Sequence, residues 1–503
     1  MPAGWELALP YSKVPGPKSI PVLGIMHHFF PGGKYGNMNF RERYTKMNQE
    51  YGDLVRLKGF DGKEDICVSF NPDHFETIFR NDGATPRRNI FDTLRYYRTK
   101  INPEIYKDNI GVLIENGEKW KKLRSMVNPV LMQPRVSKQY VKSVEGIVDE
   151  FITRTLRLRD KNLETPANFL NELNRWALES ITCIALDTRL GCLRDDLAPD
   201  SEPQRMLKAV HEFFALTHAL EFKPHPWKTI KTPGFYRLME VFQIINDLSL
   251  QKVEEAMERM KNEPVQDDRE QSILQKLIKI NRNVAVVVAM DLLLAGVDTT
   301  SYTTSILLYH LSKHQRAQDK LREELRGILP ERHSKLKDNS FDRIPYLRAC
   351  LKESTRITPV GVANLRTTQR DIVLSGYRIP KGTHMILCTQ IASVSPSQHE
   401  RPNEFIPERW LRQDKKGLET DMSSDVAGCP NAKTANPFSQ LTFGFGVRSC
   451  IGQRISELEI HTLIAKLIRN HRVEWHHPDL MIESKTLETP ASSLRYKIIE
   501  LNN

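Results

Sequence analysis

The chain has 503 residues, of which 40% are hydrophobic and 27% charged, as is typical of a globular protein with a large core. Its formal net charge of +11 favours an acidic partner or an anionic membrane surface, and no nucleic-acid-binding motif accompanies it. Seven scattered cysteines without a CxxC pair indicate a reducing compartment and argue against a disulfide framework or a zinc cluster.

The chain opens with a proline-rich segment. Four prolines fall within residues 10–24, and because proline interrupts a helix this stretch predicts an extended lead-in. The nine residues before Pro10 carry no signal sequence or transit peptide, so we expect either that none exists or that it has been removed, and a membrane-spanning anchor is missing here. Next, Asp53 to Phe70 carries two β-rich runs around a Gly-Phe-Asp-Gly turn, which predicts a hairpin.

Helical spacing dominates the middle of the chain. One helix opens at Asn116-Gly117-Glu118 and places Trp120 and Arg124 one turn apart on the same face. From the residues alone, this pair is a core tryptophan beside a solvated arginine. Residues 145–190 predict helical scaffold. Residues 205–262 predict two helices joined by a basic, aromatic loop that three prolines interrupt, which on composition alone is a solvent-facing linker.

A long helix is predicted from Asn283 to Lys313. No segment reaches the ~20 apolar residues that cross a bilayer, and the apolar start of this helix contains Asp291, so we expect it to be buried. Gly296 and the neighbouring threonines weaken a helix, which predicts local opening around residues 295–300. Asp298 is costly to bury without a purpose. The pattern is either a simple kink or a reactive site.

The following helix, IPYLRACLKESTRI, ends at Thr358-Pro359. Glu353 and Arg356 lie three residues apart on it, a spacing that is usually a weak surface ion pair. A Pro-Glu-Arg-Trp segment and a polar insert of residues 412–436 follow, and the insert predicts a surface meander. The last predicted helix runs from Ile451 to Asn470.

The sequence FGFGVRSCIG precedes that last helix and contains Cys450. A lone cysteine is usually an apolar filler. Here, however, glycines allow a tight turn, and backbone N–H groups at the start of a helix favour a thiolate. Arg448 supplies a fixed cation that suits a carboxylate. The dinucleotide pattern GxGxxG is incomplete, because Ser449 replaces its third glycine.

Together, these positions satisfy the pattern Phe-x-x-Gly-x-Arg-x-Cys-x-Gly and resemble the haem-binding loop of the cytochrome P450 family. The resemblance implies a mainly α fold with a smaller β-rich region. It implies a lead-in over residues 1–24 and one catalytic domain over residues 25–503. Haem b would lie between the long central helix and the helix that follows the cysteine, with Cys450 as the iron ligand. The implied cofactor-binding residues are Cys450, Arg448, Phe443, Gly446, Trp120, Arg124 and Arg366, the last preferred over Arg370.

The resemblance also assigns roles elsewhere. Asp298 and Thr299 would deliver protons to bound dioxygen, which makes them the catalytic residues. Glu353, Arg356 and Arg409 would form a buried structural triad. The implied substrate pocket contains Leu294, Ala295, Val360, Val362 and Ala363. The loop from Phe222 to Phe235 matches the region that P450s use as a lid resting on a membrane, so we expect peripheral membrane contact there.

Two marks favour the mitochondrial class, which takes electrons from NADPH through a reductase and a [2Fe–2S] ferredoxin. Arg348 and Lys352 occupy its ferredoxin-docking positions, although Gln453 replaces half of a basic pair that this class carries after the cysteine. The stretches NRWALESI, NPVLMQPR and FPGGKYGN resemble the insect mitochondrial branch. We therefore expect a monooxygenase of apolar, xenobiotic or steroid-like molecules on the matrix side of the inner mitochondrial membrane.

Three alternatives remain open at this stage. A microsomal P450 would use a diflavin reductase instead of a ferredoxin. A P450-fold isomerase or lyase would rearrange peroxides, but such proteins commonly lack the acid–threonine pair that this chain keeps. A haem-thiolate sensor would bind the cofactor without turnover.

Overall fold

The computed structural model describes residues 2–20, 23–59, 64–223, 226–262, 271–413, 419–421 and 435–502. Helices make up 54% of it and strands 10%, which confirms a mainly α fold with a small β region. The predicted Gly-Phe-Asp-Gly turn, Cys429 and most of the polar insert lie outside the described residues.

The helices are α1 (Phe40–Tyr51), α2 (Pro72–Arg80), α3 (Asp92–Tyr96), α4 (Pro103–Tyr106), α5 (Gly117–Leu131), α6 (Pro134–Leu158), α7 (Phe169–Ala185), α8 (Glu202–Thr217), α9 (Pro233–Asn262), α10 (Ile273–Ile280), α11 (Arg282–Lys313), α12 (Gln315–Ile328), α13 (Pro345–Ile357), α14 (Thr389–Ala392) and α15 (Gln453–Asn470). The strands are β1 (Leu54–Leu57), β2 (Ile66–Ser69), β3 (Asn364–Thr367), β4 (Ile372–Leu374), β5 (Tyr377–Ile379), β6 (His384–Leu387), β7 (Leu411–Gln413), β8 (Glu419–Asp421), β9 (His471–Glu474), β10 (Ile482–Ser484), β11 (Glu488–Pro490) and β12 (Lys497–Glu500).

The central helix of the fold is α11, which packs against α7, α9, α10, α13 and α15. Within the described part of the chain it is the one helix long and apolar enough to cross a bilayer. However, 83% of its most apolar window is buried inside the protein. A helix that is apolar all round and enclosed by other helices is a core helix, as the sequence predicts.

The β region is built around a four-stranded sheet with the order β1-β2-β6-β3. β1 and β2 form the predicted antiparallel hairpin, β6 joins β2 in parallel, and β3 is antiparallel to β6. The remaining strands form two-stranded pairs, β4–β5, β7–β8, β9–β12 and β10–β11. The sheet places β3, which carries Arg366, beside the loop that contains Cys450, because Arg366 donates a hydrogen bond to the Phe445 carbonyl at 3.4 Å.

Within the described part of the proline-rich lead-in, Tyr11–Lys13 form one turn of 3₁₀ helix, and Ile20 and Gly24 exchange two backbone hydrogen bonds of 3.0 Å. The prediction of a wholly extended segment was wrong at this turn, because a proline just before a helical turn does not block it. The lead-in lies against the β region. The Arg56 N–H donates to the Pro15 carbonyl at 2.8 Å, and a side chain at Gly16 would overlap the Arg56 carbonyl.

Candidate active site

The loop before α15 is held in shape by its own backbone. The Cys450 N–H donates to the Phe443 carbonyl at 2.8 Å, and the Ser449 N–H donates to the Gly446 carbonyl at 2.9 Å. Gly444 and Gly446 have φ angles of 73° and 76°, in the left-handed region that favours glycine. The loop therefore presents Cys450 from a fixed turn just before the first residue of α15.

The Cys450 side chain keeps accessible surface, yet protein surrounds it closely enough that burial raises the pKa of its thiol. Both observations hold together if the sulfur lies on the wall of an internal cavity. A hydrogen bond from the Gly452 backbone and the charges of Arg124 and Arg88 act in the opposite direction and lower this pKa. The surroundings thus supply stabilisation for a thiolate, with burial working against it.

One face of α11 also has accessible surface. Ala295, Thr299 and Thr303 follow one another at four-residue spacing and are partly accessible, whereas most of the helix is buried. Leu294 is fully buried in the main core, so the structure does not bring it to this face with Ala295 and Thr299. Arg88 lies between α11 and the cysteine loop, since its charge interacts with both Asp291 and Cys450.

Four arginines gather on one side of the cysteine loop, namely Arg88, Arg124, Arg366 and Arg448. Burial lowers the pKa of Arg448 to about 8, and that of Arg88 and of Arg124 to about 10. Repulsion from Arg88, Arg366 and Arg124 contributes to this lowered pKa of Arg448. Among the described residues, the carboxylate in ion-pair contact with the cluster is Asp82, at 2.6 Å from Arg366 Nε. Because the buried positive charges of this cluster exceed its negative ones, an anionic ligand would stabilise it.

Three buried donors of this cluster lack a hydrogen-bond acceptor anywhere in the described residues, namely Trp120 Nε1, Arg124 Nε and Arg448 Nη1. The Arg448 guanidinium stacks 4.2 Å from the centre of the Trp120 ring. Arg124 also donates to the Ser449 carbonyl at 2.9 Å, next to the cysteine. Unpaired buried donors are costly unless a ligand completes them. A haem fits this donor set, because it combines two carboxylates with an iron that binds thiolate.

Arg366 is buried in the cluster and Arg370 is exposed, so the structure brings the preferred arginine to the site. Arg88 and Asp82 are additions that the sequence reasoning missed. They lie more than 360 residues before Cys450 and form no spaced pattern with it. Arg88 also follows Arg87, and a basic doublet ordinarily indicates solvated surface. Only the folded chain shows that one member of the doublet reaches the site.

The family model of cytochrome P450 matches residues 14–498 of the chain. The chain belongs to the cytochrome P450 family. It is 41% identical to cytochrome P450 CYP12A2 of Musca domestica, over 99% of this chain and 93% of that protein. It is 39% identical to probable cytochrome P450 12a5, mitochondrial, of Drosophila melanogaster, over 99% and 92% of the two chains. Cytochrome P450 12b1, mitochondrial, of Drosophila acanthoptera is 38% identical over 97% and 89%.

The family membership identifies the chain as a monooxygenase whose cofactor is a haem iron with a cysteine thiolate ligand. Its most similar relatives include insect P450s named as mitochondrial, in agreement with the insect mitochondrial resemblance of the sequence.

Glu353, Arg356 and Arg409 meet in the P450 core. Arg356 binds Glu353 through two hydrogen bonds of 2.8 and 3.0 Å, and Arg409 Nε lies 2.9 Å from Glu353 Oε1. Trp410 Nε1 and the Ile406 N–H also donate hydrogen bonds to the Glu353 carboxylate, at 2.9 and 3.0 Å. These cations and donors hold the pKa of Glu353 below its usual value even though burial raises it. The i,i+3 pair is therefore fully buried and not a surface ion pair.

Asp298 and Thr299 occupy adjacent positions of α11 with different surroundings. Asp298 is fully buried, and neither carboxylate oxygen accepts a hydrogen bond of normal geometry from the described residues. Burial raises the pKa of Asp298 to about 7, against a smaller lowering by the Tyr302 hydroxyl. The Thr299 hydroxyl donates to the Ala295 carbonyl at 2.6 Å.

The α11 backbone differs from the prediction around Gly296. The helix is continuous from Arg282 to Lys313, so the predicted local opening does not appear as a break. Gly296 instead allows close packing on α7, because a Cβ there would lie 3.0 Å from the Ile181 side chain. The threonine hydroxyls bond back to carbonyls of the same helix and leave the ladder in place.

The remaining pocket residues follow α13. Val360 is buried and packs with Tyr302 and Ile306 of α11, whereas Val362 is buried and Ala363 is partly accessible. The Val360 carbonyl accepts the Glu488 N–H at 2.9 Å, which attaches this segment to the β10–β11 hairpin.

The two docking positions lie on α13 and are partly exposed. Lys352 Nζ lies 4.2 Å from the centre of the Trp410 ring, and Arg348 donates to the Phe341 carbonyl at 2.6 Å. The Lys352 carbonyl accepts a hydrogen bond of 2.6 Å from Gln440, three residues before Phe443. The structure thus brings Lys352 next to the segment that leads into the cysteine loop.

Proposed function

We propose that this P450 inserts one atom of O2 into an apolar small molecule of the xenobiotic or steroid-like kind. The electrons would come from NADPH through a ferredoxin reductase and a [2Fe–2S] ferredoxin. The mitochondrial names of the relatives support this donor class, as do Arg348 and Lys352 on α13. A matrix-side location on the inner mitochondrial membrane follows from the same donor class.

In this proposal the chain's own residues bind the cofactor and deliver protons. Cys450 would provide the thiolate. Four arginines and the Trp120 indole would bind the haem carboxylates, the arginines being Arg88, Arg124, Arg366 and Arg448. When bound, a thiolate-ligated haem supplies the oxygen-activating chemistry. Phe443 and Gly446 shape the loop on the thiolate side. Ala295, Val360, Val362 and Ala363 surround the substrate, and Leu294 supports this wall from the core.

The observation that carries a monooxygenase function, as opposed to an isomerase, is the paired Asp298 carboxyl and Thr299 hydroxyl. A group with a pKa of about 7 can both release and take up a proton at neutral pH. Thr299 lies on the accessible face of α11 beside it and can orient a bound ligand by hydrogen bonding. O2 activation needs such proton delivery, whereas peroxide rearrangement does not.

The test is the Thr299→Ala variant. We expect the ratio of product formed to NADPH consumed to fall about tenfold, with peroxide released instead, because proton delivery by a positioned side chain contributes rate factors of about 10² or more. Thr303→Ala is the matched control, since Thr303 lies one turn further along the same face and donates to the Thr299 carbonyl at 2.7 Å. If the two variants form the same amount of product per NADPH consumed, Thr299 does not deliver protons.

Peripheral membrane contact is proposed for the segment between α8 and α9. Phe222 and Ile230 lie in this segment and Tyr236 lies in the first turn of α9, and their side chains are 40%, 63% and 63% exposed. Trp227, by contrast, is buried, and Lys231 lies 4.4 Å from the centre of the Tyr96 ring, so these two residues pack onto α3. The contact would therefore rely on the three exposed apolar side chains.

We expect the protein to float with anionic liposomes at low salt, and Ile230→Glu to reduce the bound fraction several-fold, because an inserted charge is expelled from the lipid interface. Met481→Glu changes a similarly exposed apolar residue, 62% accessible, on another element and serves as control. A protein that stays at the bottom of the gradient would rule out this contact.

A further inference from the structure

The loop of residues 110–116, between α4 and α5, is held by arginine side chains. Arg98 donates to the Ile110 carbonyl at 2.8 Å, and Arg88 donates to the Leu113 carbonyl at 3.0 Å. Arg95 and Arg448 donate to the carbonyls of Ile114 and Glu115. Four guanidinium groups therefore bind four carbonyl groups of one seven-residue loop, and two of these arginines belong to the cluster beside Cys450.

Asp291 of α11 fixes the other side of the same loop. Its Oδ2 accepts the N–H groups of Val112 and Leu113 at 2.7 and 3.3 Å. Its Oδ1 lies 2.8 Å from Arg98 Nη1. Gly111 makes this approach possible, since a Cβ at its φ angle of 97° would lie 2.0 Å from Arg98 Nη1. Asp291 thus anchors the loop to the central helix by two direct hydrogen bonds, and by its ion pair with Arg98, which itself donates to the Ile110 carbonyl.

The charge of Asp291 is as important as its hydrogen bonds. Arg98 is fully buried, and its Nε and Nη2 atoms find no acceptor among the described residues. The Tyr106 ring, 4.9 Å away, is its other close electrostatic contact. Asp291 is therefore the counter-charge that allows a buried guanidinium here.

The loop of residues 110–116 connects Asp291 to the arginines beside Cys450. Asn116 Oδ1 accepts from Arg448 at 3.0 Å and from the Arg88 N–H at 3.1 Å, and Leu113 holds the Arg88 guanidinium. A shift of the loop away from α11 would move the groups that hold both arginines. No residue of the cysteine loop contacts Asp291 within the described hydrogen bonds, so its effect on Arg448 would pass through residues 110–116. Its charge also acts on Arg88 directly.

We propose that Asp291 is a positioning residue for the haem site, holding Arg88 and Arg448 through the loop of residues 110–116. This rests on the proposed binding of haem carboxylates by the arginine cluster. Asp291 touches neither substrate nor the cysteine. It holds the guanidinium groups of Arg88 and Arg448 in position, as residues beyond the immediate ligands do in other metal sites.

The test compares haem retention in the purified holoprotein. Asp291→Asn keeps the size and an acceptor oxygen for Val112 and Leu113 but removes the charge opposite Arg98. We expect haem transfer to excess apomyoglobin to be about tenfold faster than in wild type, within the 10- to 100-fold effect typical of such supporting residues. Displacement of Arg88 and Arg448 should lower the reduction potential of the haem iron, because cations near the haem carboxylates favour the reduced state. The loss of the Asp291 charge acts in the opposite direction, so Asp291→Glu, which keeps that charge, gives the decisive potential.

Glu145→Gln is the matched control for general destabilisation. Glu145 is buried, lies 3.0 Å from Lys466 Nζ and accepts the Leu336 N–H at 2.9 Å, and its described hydrogen bonds do not involve residues 110–116. It should lower the melting temperature but leave the haem potential at the wild-type value. If both variants change haem loss and potential equally, Asp291 is merely structural and the proposal is overturned.

Asp291→Glu covers the case in which Asp291→Asn yields no holoprotein. It keeps the charge opposite Arg98 but moves the carboxylate by one methylene relative to Val112 and Leu113. Faster haem loss and a lower potential are again expected, and wild-type values would overturn the proposal. Arg124→Gln tests the underlying assumption separately. Unchanged haem retention there would contradict the arginine cluster as the haem site and overturn both proposals, whereas faster haem loss there with wild-type values in Asp291→Glu would overturn the role of Asp291 alone.

Discussion

Asp298 is a carboxyl group whose protonation is set by the fold. Burial raises its pKa to about 7, because the Tyr302 hydroxyl, which favours the charged form, offsets only part of the effect of burial. Glu353 is buried as well, yet its pKa is lowered, since Arg356 and Arg409 surround it. The two carboxyls therefore differ in role through their neighbours: one can exchange a proton at neutral pH and the other stays ionised.

The raised pKa of Asp298 predicts a pH dependence of stability. Between the unfolded pKa of 3.8 and the folded value of about 7, the folded state keeps a proton that the unfolded state loses. The contribution to stability is therefore complete below pH 3.8 and is lost as the pH rises through 7. The loss amounts to about 4 kcal/mol at 1.36 kcal/mol per pKa unit.

The measurement is the free energy of unfolding in urea at several values between pH 4.5 and 7.5, for wild type and for Asp298→Asn. Asparagine cannot ionise, so the difference between the two curves should grow in favour of the variant as the pH rises. Buried histidines such as His310 and His461 titrate equally in both proteins and cancel. Parallel curves would mean that Asp298 is already ionised at low pH.

Which residues the sequence could predict depended on how close together they lie. The positions around Cys450 fall within ten residues and form a pattern that a single stretch of chain displays. Arg88 and Asp82 reach the same site from another part of the chain, through the contacts of a folded loop. Their types alone, a basic doublet and a surface-like aspartate, gave no reason to place them there.

At the level of elements, helix ends were predictable where local chemistry defines them. α13 ends at Ile357, just before the predicted stop at Thr358-Pro359, and α5 begins at the predicted Gly117. The interior of α11 was less predictable. Glycine and threonine weaken an isolated helix. In the folded protein, close packing against α7 favours a glycine at position 296, and the helix stays continuous.

This packing predicts the cost of a side chain at Gly296. In Gly296→Val, the new Cβ would lie 3.0 Å from Ile181 Cγ1, and overpacking of this kind costs about 1–3 kcal/mol. The free energy of unfolding should fall by this amount. Adding Ile181→Ala to the variant should recover part of the loss, because it removes the atom that the valine meets.

Gly327→Val is the matched control on α12, where a Cβ would meet nothing within 4 Å. It changes the same intrinsic helix propensity without the contact to α7. Equal destabilisation at both positions would show that propensity, and not the α7–α11 packing, explains the glycine at 296.

At the scale of the whole molecule, the sequence predicts the family and the mainly α fold, but not the pairings between distant segments. β2 pairs in parallel with β6, more than 300 residues later, and Arg41 of α1 lies 3.1 Å from the buried Glu488 of β11. Such contacts depend on the three-dimensional course of the chain, and neither strand spacing nor charge reveals them.

The chain has a net charge of +11, and part of this positive charge lies on α13. Lys352 extends along the Trp410 ring, and Trp410 donates to Glu353 of the buried triad, so the lysine is anchored to the core below it. Gln440 joins the same turn of α13 to the segment that leads to Cys450. An acidic ferredoxin bound here would lie close to the thiolate side of the haem.

This arrangement predicts the effect of Lys352→Glu on reduction by ferredoxin. The reversed charge should slow reduction by on the order of tenfold at low salt, because charge complementarity raises the rate of encounter. The difference from wild type should shrink as ionic strength rises and screens the contact. Substrate affinity should stay the same, since Lys352 lies on α13 and not on the accessible face of α11.

Lys261→Glu is the control for net charge alone. Lys261 lies on α9, is 64% exposed and pairs with Glu258, so its reversal changes the total charge by the same two units at a different surface. If the two variants slow reduction equally, the ferredoxin responds to overall charge and α13 is not the docking site. If Lys352→Glu alone slows it, and its rate falls less steeply with salt than that of wild type, the positive charge acts locally at the cysteine side of the molecule.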